Sequence, residues 1–261
     1  MDHGISSAIA RMTGEIVSVL DGDVYGVWLY GSVVMEDFRP GWSDIDFVVL
    51  ARGTISESQA ERLLTLRQEM LGREPGNPYY RSFEGVIAGV EEYRSGVFER
   101  LVYWGTSGQR VTDRYEPDTF SAFELAKYGK PVYGGKPWIL PAPGREELIR
   151  AVREHYESIR KYAAQTNDSL YSCGWLLDIA RCIYTLRTGD VVSKTQAGIR
   201  ALEEHLFPDE APLRKTVEIR QDPQAFRDRE DVKQWLKGLG PVVQQYADVL
   251  ETELRSVSAC G

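Results

Sequence analysis

The chain of 261 residues is long enough for one large domain or two ordinary ones, and its 43% hydrophobic content supplies a packed core. Charged residues make up 27% in both signs along the whole length, which excludes a disordered or fibrous class, and no apolar run approaches a membrane span. The formal net charge of −8 disfavours nucleic acid as a partner, since such surfaces cluster Lys and Arg, and is compatible with a cationic small molecule.

Nothing between Met1 and Arg11 resembles a secretory signal, because Asp2 and His3 stand where a basic and then an apolar region would be needed. Cys173, Cys182 and Cys260 form an odd set without metal spacing, which suits a reducing cytoplasmic compartment better than a disulfide framework or a zinc site.

From Ile5 to Leu20 the apolar residues Ile5, Ile9, Met12, Ile16 and Val19 recur at helical spacing. Asp21-Gly22-Asp23 ends that helix, and Val24 to Tyr30, aromatic and β-branched, predicts a buried strand that runs straight into Gly31-Ser32. The next stretch is broken by Pro40-Gly41, after which Ile45 to Leu50 predicts a second strand introduced by Ser43-Asp44. Helical spacing returns from Ser56 to Leu71, with Ser56, Glu57 and Glu61 suited to an N-terminal turn. Beyond Pro75-Gly76-Asn77-Pro78, the segment Tyr79 to Val90 is strand-like and carries Glu84 in its middle.

Between Lys136 and Gly144 three prolines fall in nine residues, and the chain turns from mixed to helical character. Helices are predicted over Arg145–Ala164, Ser172–Arg187, Thr195–His205, Pro212–Gln221 and Asp231–Val257. The fold class expected is therefore α+β, with a mixed α/β domain around a small sheet over 1–140 and an all-α helical bundle over 145–261.

The chemistry-bearing pattern is Gly31-Ser32, a gap of ten residues, then Ser43-Asp44-Ile45-Asp46 entering Phe47-Val48-Val49. Glycine at a strand end lets backbone N–H groups approach an anion, and a serine hydroxyl adds a donor to a phosphate oxygen. Two aspartates two residues apart on a strand share one face of the sheet, where their mutual repulsion is relieved by a divalent cation; Mg²⁺ is commonly held by one or two carboxylates plus substrate phosphates. The bland alternative for a bare Asp-x-Asp is the wet face of an edge strand. Trp28, Trp104, Trp138 and Trp175 read as packing, His3, His155 and His205 lack metal spacing, and Gly105 to Gly108 lacks the context of a dinucleotide fingerprint.

Together, Gly31-Ser32 and Ser43-Asp44-Ile45-Asp46 resemble the signature of the polymerase-β-like nucleotidyltransferase superfamily, and the chain as a whole resembles the bacterial aminoglycoside nucleotidyltransferases, especially the streptomycin and spectinomycin adenylyltransferases. The resemblance spans nearly the whole length but is sharp only between Tyr30 and Leu50. It implies Asp44 and Asp46 as ligands of Mg²⁺, with Gly31, Ser32 and Ser43 near the nucleotide phosphates. Glu84, within Ser82-Phe83-Glu84-Gly85-Val86, matches the third carboxylate that acts as general base; Glu91 and Glu92 are competitors placed past the strand. Lys194, and more weakly Arg181, match basic contacts to the triphosphate, where cations offset charge on the departing pyrophosphate.

The implied reaction is transfer of AMP from ATP, in a cleft between the two domains, to a hydroxyl of a small acceptor. The chain departs from the family at Tyr171-Ser172-Cys173-Gly174-Trp175, where an acidic antibiotic contact is expected, and Asp178 on the same helix either serves a cationic acceptor or pairs with Arg181. Other acceptors (a protein or RNA hydroxyl) and a non-catalytic nucleotide-sensing module stay open as alternatives.

Overall fold

The computed structural model describes residues 3–105, 108–135 and 137–259. Met1, Asp2, Lys136 and Cys260 lie outside the described residues. The chain divides into two compact units, one of Met1–Phe38 with Ser43–Ala142, the other of Arg39–Trp42 with Pro143–Gly261.

In chain order the first unit contains α1 (His3–Val19), β1 (Val24–Leu29), the short α2 (Gly31–Val34), β2 (Ile45–Ala51), α3 (Glu57–Arg73), β3 (Phe83–Gly89), α4 (Val90–Ser95), β4 (Leu101–Gly105), β5 (Gly108–Thr112), α5 (Thr119–Tyr128) and β6 (Lys130–Tyr133). The strands form one sheet in the order β5-β4-β3-β2-β1-β6. Only β2 and β3 run parallel; the remaining neighbours are antiparallel. Parallel neighbours need a crossover, and α3 supplies it. Its start is fixed by Ser56, whose hydroxyl accepts from the Gln59 N–H while the Gln59 side chain accepts from the Ser56 N–H.

The period of two along the strands builds a core on each face. On one face Ile45, Phe47, Val49, Ile87 and Trp104 pack with Ile9, Met12 and Ile16 of α1 and Leu63, Leu66 and Met70 of α3. The opposite face carries Trp28, Val48, Leu50, Val86 and Ala88, packed with Tyr93, Phe98 and Leu125. The strand expected over Tyr79–Val90 is shorter than its apolar pattern, because Tyr80–Ser82 form a 3₁₀ turn and the chain leaves the sheet at Gly89. There the Glu92 carboxylate accepts from the Gly89 N–H at 3.2 Å and from the Glu99 N–H at 2.8 Å, so Glu92 holds a helix start.

The second unit comprises α6 (Arg145–Tyr162), α7 (Tyr171–Thr188), α8 (Lys194–Glu203), α9 (Ala211–Gln221), the short α10 (Pro223–Phe226), α11 (Glu230–Lys237) and α12 (Gly240–Ala259). Helix α7 is central, packing on α6, α8, α9 and α12, and buries Leu176, Leu177, Ile179, Ile183 and Leu186. Cys173 and Cys182 are buried on it, and burial pushes the Cys173 thiol up to about 12, which keeps it unreactive. The single helix expected over Asp231–Val257 is two, broken between Lys237 and Gly240. A Cβ on Gly240 would lie 2.2 Å from the Ala164 carbonyl oxygen, so the chain passes too close to the end of α6 for any larger residue. Among the described residues no helix is long and apolar enough to cross a membrane.

Candidate active site

The parallel pairing of β2 with β3 sets Asp46 directly beside Glu84, one step after Ile45 beside Phe83. Both carboxylates therefore project from the face that carries Val48, Leu50, Val86 and Ala88, each at the point where its strand begins and the apolar cover has not yet closed. Asp46 and Glu84 are each partly exposed. Asp44 stands just ahead of β2, also partly exposed, and Ser43 is buried.

Two hydrogen bonds tie the Gly31-Ser32 turn to this strand. The Tyr30 N–H donates to the Asp46 carbonyl at 3.1 Å, and the Ser32 hydroxyl donates to the Asp44 carbonyl at 3.2 Å. Ser32, expected from sequence to reach a phosphate, here fixes the main chain of the first aspartate. Gly31 lies between them with φ +66°, and a Cβ added to it would fall 2.1 Å from Asp46 Oδ2. Glycine is thus required twice over, for its left-handed backbone and for the carboxylate packed against its Cα.

Glu84 has a specific neighbour that the sequence reading did not single out. The Tyr103 hydroxyl on β4 donates to Glu84 Oε1 at 2.7 Å, and the Arg110 guanidinium on β5 lies 4.4 Å from the centre of the Tyr103 ring. Burial, then the hydrogen bond to Glu84, pushes the Tyr103 hydroxyl above its ordinary range, so it remains a proton donor at any working pH. Tyr115 and Tyr93 continue this aromatic wall, with ring centres 6.1 Å apart between Tyr103 and Tyr115 and again between Tyr93 and Tyr115. Burial, followed by the charge of Asp46, likewise raises Tyr30 well above the usual tyrosine value.

Beneath the carboxylates lies Arg67 of α3, only 6% exposed. It donates to the Phe83 carbonyl at 2.9 Å, the Gly105 carbonyl at 3.1 Å and Gln109 Oε1 at 3.3 Å. Burial lowers its pKa while the charges of Glu84 and Asp44 pull the other way, so this cation lies within the field of both carboxylates. Its sequence signal is its spacing, since Leu63, Arg67 and Met70 occupy one buried stripe of α3.

In the second unit, Arg181 and Lys194 gather on Asp178. Lys194 Nζ lies 2.9 Å from Asp178 Oδ1, and an Arg181 guanidinium nitrogen lies 3.7 Å from the same oxygen. Burial alone would raise the Asp178 carboxyl, but Lys194 first and then Arg181 outweigh it and hold the carboxyl below its ordinary range. Lys194 opens α8, next to Ser193, whose hydroxyl accepts from the Gln196 N–H at 3.4 Å. The departing stretch forms the first turn of α7 and places Tyr171 in the open, its hydroxyl donating to the Trp42 carbonyl at 3.2 Å and its ring edge-on to Trp42.

Among the described residues no three or more His, Cys, Asp or Glu side chains gather into a metal-holding group. Two carboxylates with this spacing would fit Mg²⁺ completed by substrate phosphates, a metal that is commonly held by one or two carboxylates.

A mixed sheet bearing Gly31-Ser32 against an Asp44/Asp46 strand, with Glu84 aligned on the neighbouring strand, defines a nucleotidyltransferase. Comparison with protein families bears this out, since residues 11–77 match the nucleotidyltransferase domain and residues 139–239 match the C-terminal domain of aminoglycoside adenylyltransferase. The two matches together support an aminoglycoside nucleotidyltransferase and mark the chain as an enzyme. Among solved structures it is similar to the spectinomycin adenyltransferase AAD(9) of Enterococcus faecialis, determined with ATP and spectinomycin; the TM-score is 0.65 over 92% of this chain and 97% of that one. At 16% identity that likeness is one of fold. No curated protein matches the chain significantly by sequence.

Proposed function

We propose that this enzyme transfers AMP from ATP to a hydroxyl of an aminoglycoside or related antibiotic and releases pyrophosphate, with 1–140 as the nucleotidyltransferase domain and 145–261 as the helical domain. The observation that carries the reading is the alignment of Asp46 with Glu84 across parallel strands, beside the glycine turn, in a chain of this family. The similar structure solved with ATP and spectinomycin supports the choice of nucleotide and acceptor class.

Asp44 and Asp46 would hold Mg²⁺, which would supply charge neutralisation on the phosphates. Glu84 Oε1 is engaged by Tyr103, which leaves Oε2 to take the proton of the acceptor hydroxyl as its oxygen bonds to the α-phosphorus and the bond to pyrophosphate breaks. Gly31 gives the Asp46 carboxylate its place, Ser32 fixes the backbone of Asp44, and both Ser32 and Ser43 stand near the nucleotide phosphates. Lys194 and Arg181 supply positive charge for the triphosphate, with Asp178 holding both side chains until nucleotide arrives.

The test is pyrophosphate release from Mg·ATP against a panel of aminoglycosides and spectinomycin, with mass spectrometry of the products. An antibiotic that gains AMP is the expected result. ATP binding without transfer to any member would overturn the acceptor class and favour a different hydroxyl or a nucleotide sensor.

A further inference from the structure

The geometry points to Tyr103 as a positioning residue for the reaction, one that holds the Glu84 carboxylate in a single orientation with Oε2 presented to the acceptor hydroxyl. The inference rests on the reading of Glu84 as the base. A glutamate side chain has three rotatable bonds, and a partly exposed carboxylate samples more than one rotamer unless a neighbour holds it. Tyr103 supplies that selection. It sits on β4, which runs antiparallel to β3 and pairs Tyr103 with Val86, two residues from Glu84 and on the same face. Its hydroxyl therefore reaches Glu84 from the side, at 2.7 Å, and engages Oε1 alone.

Tyr103 is itself held in place. Arg110 covers one face of its ring, and Tyr115 lies 6.1 Å away at a tilt of 37°. A tyrosine fixed by a cation and a neighbouring ring loses little further entropy in holding the carboxylate. Because the hydroxyl retains its proton, the bond has a fixed sense, donor on tyrosine and acceptor on glutamate, and it persists while Oε2 takes and releases the acceptor's proton. Tyr103 touches neither acceptor nor nucleotide in this account; it acts through Glu84.

The experiment is a kinetic cycle of Tyr103→Phe, Glu84→Gln and the double variant in the full-length protein, with Mg·ATP and spectinomycin. Tyr103→Phe removes one hydroxyl from an intact ring, and a hydrogen bond to a charged group of this kind predicts a roughly tenfold fall in kcat. The KM for ATP is expected to stay within about twofold, and the melting temperature within about 3 °C. In the Glu84→Gln background the same change is expected to cost less than about twofold, since the group it positions is already disabled.

Equal tenfold losses in both backgrounds would show that Tyr103 acts independently of Glu84 and overturn the inference. Unchanged kcat in Tyr103→Phe, with Glu84→Gln impaired, also overturns it and leaves the base assignment standing. Full activity in Glu84→Gln removes the base assignment and the positioning role together.

Discussion

Gly31→Ala tests whether the glycine turn serves the chemistry or only the fold. The substitution meets two separate penalties. At φ +66° the backbone is left-handed, which costs an alanine about 1 kcal/mol relative to glycine. The new Cβ would also begin 2.1 Å from Asp46 Oδ2, so the carboxylate has to retreat by roughly 1 Å to reach ordinary contact. A displacement of that size at a metal-binding carboxylate predicts a loss of about 10²-fold in kcat/KM, while the backbone term lowers the melting temperature by about 3 °C. Asparagine separates the two effects, because it tolerates the left-handed region yet still carries a Cβ. Gly31→Asn is therefore expected to recover part of the lost melting temperature and none of the lost turnover. The assays are pyrophosphate release and thermal unfolding monitored by circular dichroism. Wild-type kcat/KM in either variant would refute the claim that Asp46 needs the space above Gly31.

Three further outcomes are expected. Asp46→Asn should lower turnover by at least ~10³-fold with the unfolding curve nearly unchanged, measured by the same two assays; retained activity sinks the metal assignment. Lys194→Met should weaken ATP binding by calorimetry, and should destabilise the helical unit by about 2 kcal/mol at pH 7, less than a broken pair left with no cation because Arg181 remains. The sign follows from Asp178, whose carboxyl is held below its ordinary value of about 3.9: its stabilising pair is complete above that pH and is lost as pH falls through the depressed value, so the deficit of Lys194→Met should shrink between pH 7 and pH 3 in urea titrations. A deficit constant with pH would show that the charge pair is not its source. Gly240→Ala should destabilise by about 1–3 kcal/mol in urea through its clash with the Ala164 carbonyl, without altering the KM for ATP.

The parts of the fold that were legible in sequence are those with a strong local period. Helices α1, α3 and α6 to α9, and strands β1 and β2, follow their apolar spacing to within a few residues. Two kinds of information were not local. The end of β3 depends on Glu92 reaching back to the Gly89 N–H, and the break before α12 depends on how close Gly240 passes to Ala164. No element is predicted between Leu101 and Tyr133, where β5 and β6 are short and mostly exposed or half-exposed. That is also why Tyr103 was missed. Its role arises from a side-chain bond across two strands, and nothing in the run Leu101-Val102-Tyr103-Trp104 marks one aromatic ring as different from the next.

The candidate site and the sheet are one constraint, and the register of β2 on β3 expresses it. With Asp46 beside Glu84, the odd-numbered residues Ile45, Phe47, Val49, Phe83 and Ile87 face α1 and α3, and both carboxylates face the other side. A shift of either strand by one residue would put its carboxylate into the α1/α3 core and its apolar set against the aromatic wall, two errors of several kcal/mol each. Burial of the apolar residues thus selects the one pairing that aligns the acids. The carboxylates add to that selection only by resisting the core, and they are locally out of place on a face that is otherwise apolar. Such a departure from the pattern is where function is expected, since the chain retains a charge that packing alone would replace. Arg67, buried under the same strands, lies within the field of Glu84 and Asp44 and supplies a positive charge from the protein side to those two carboxylates.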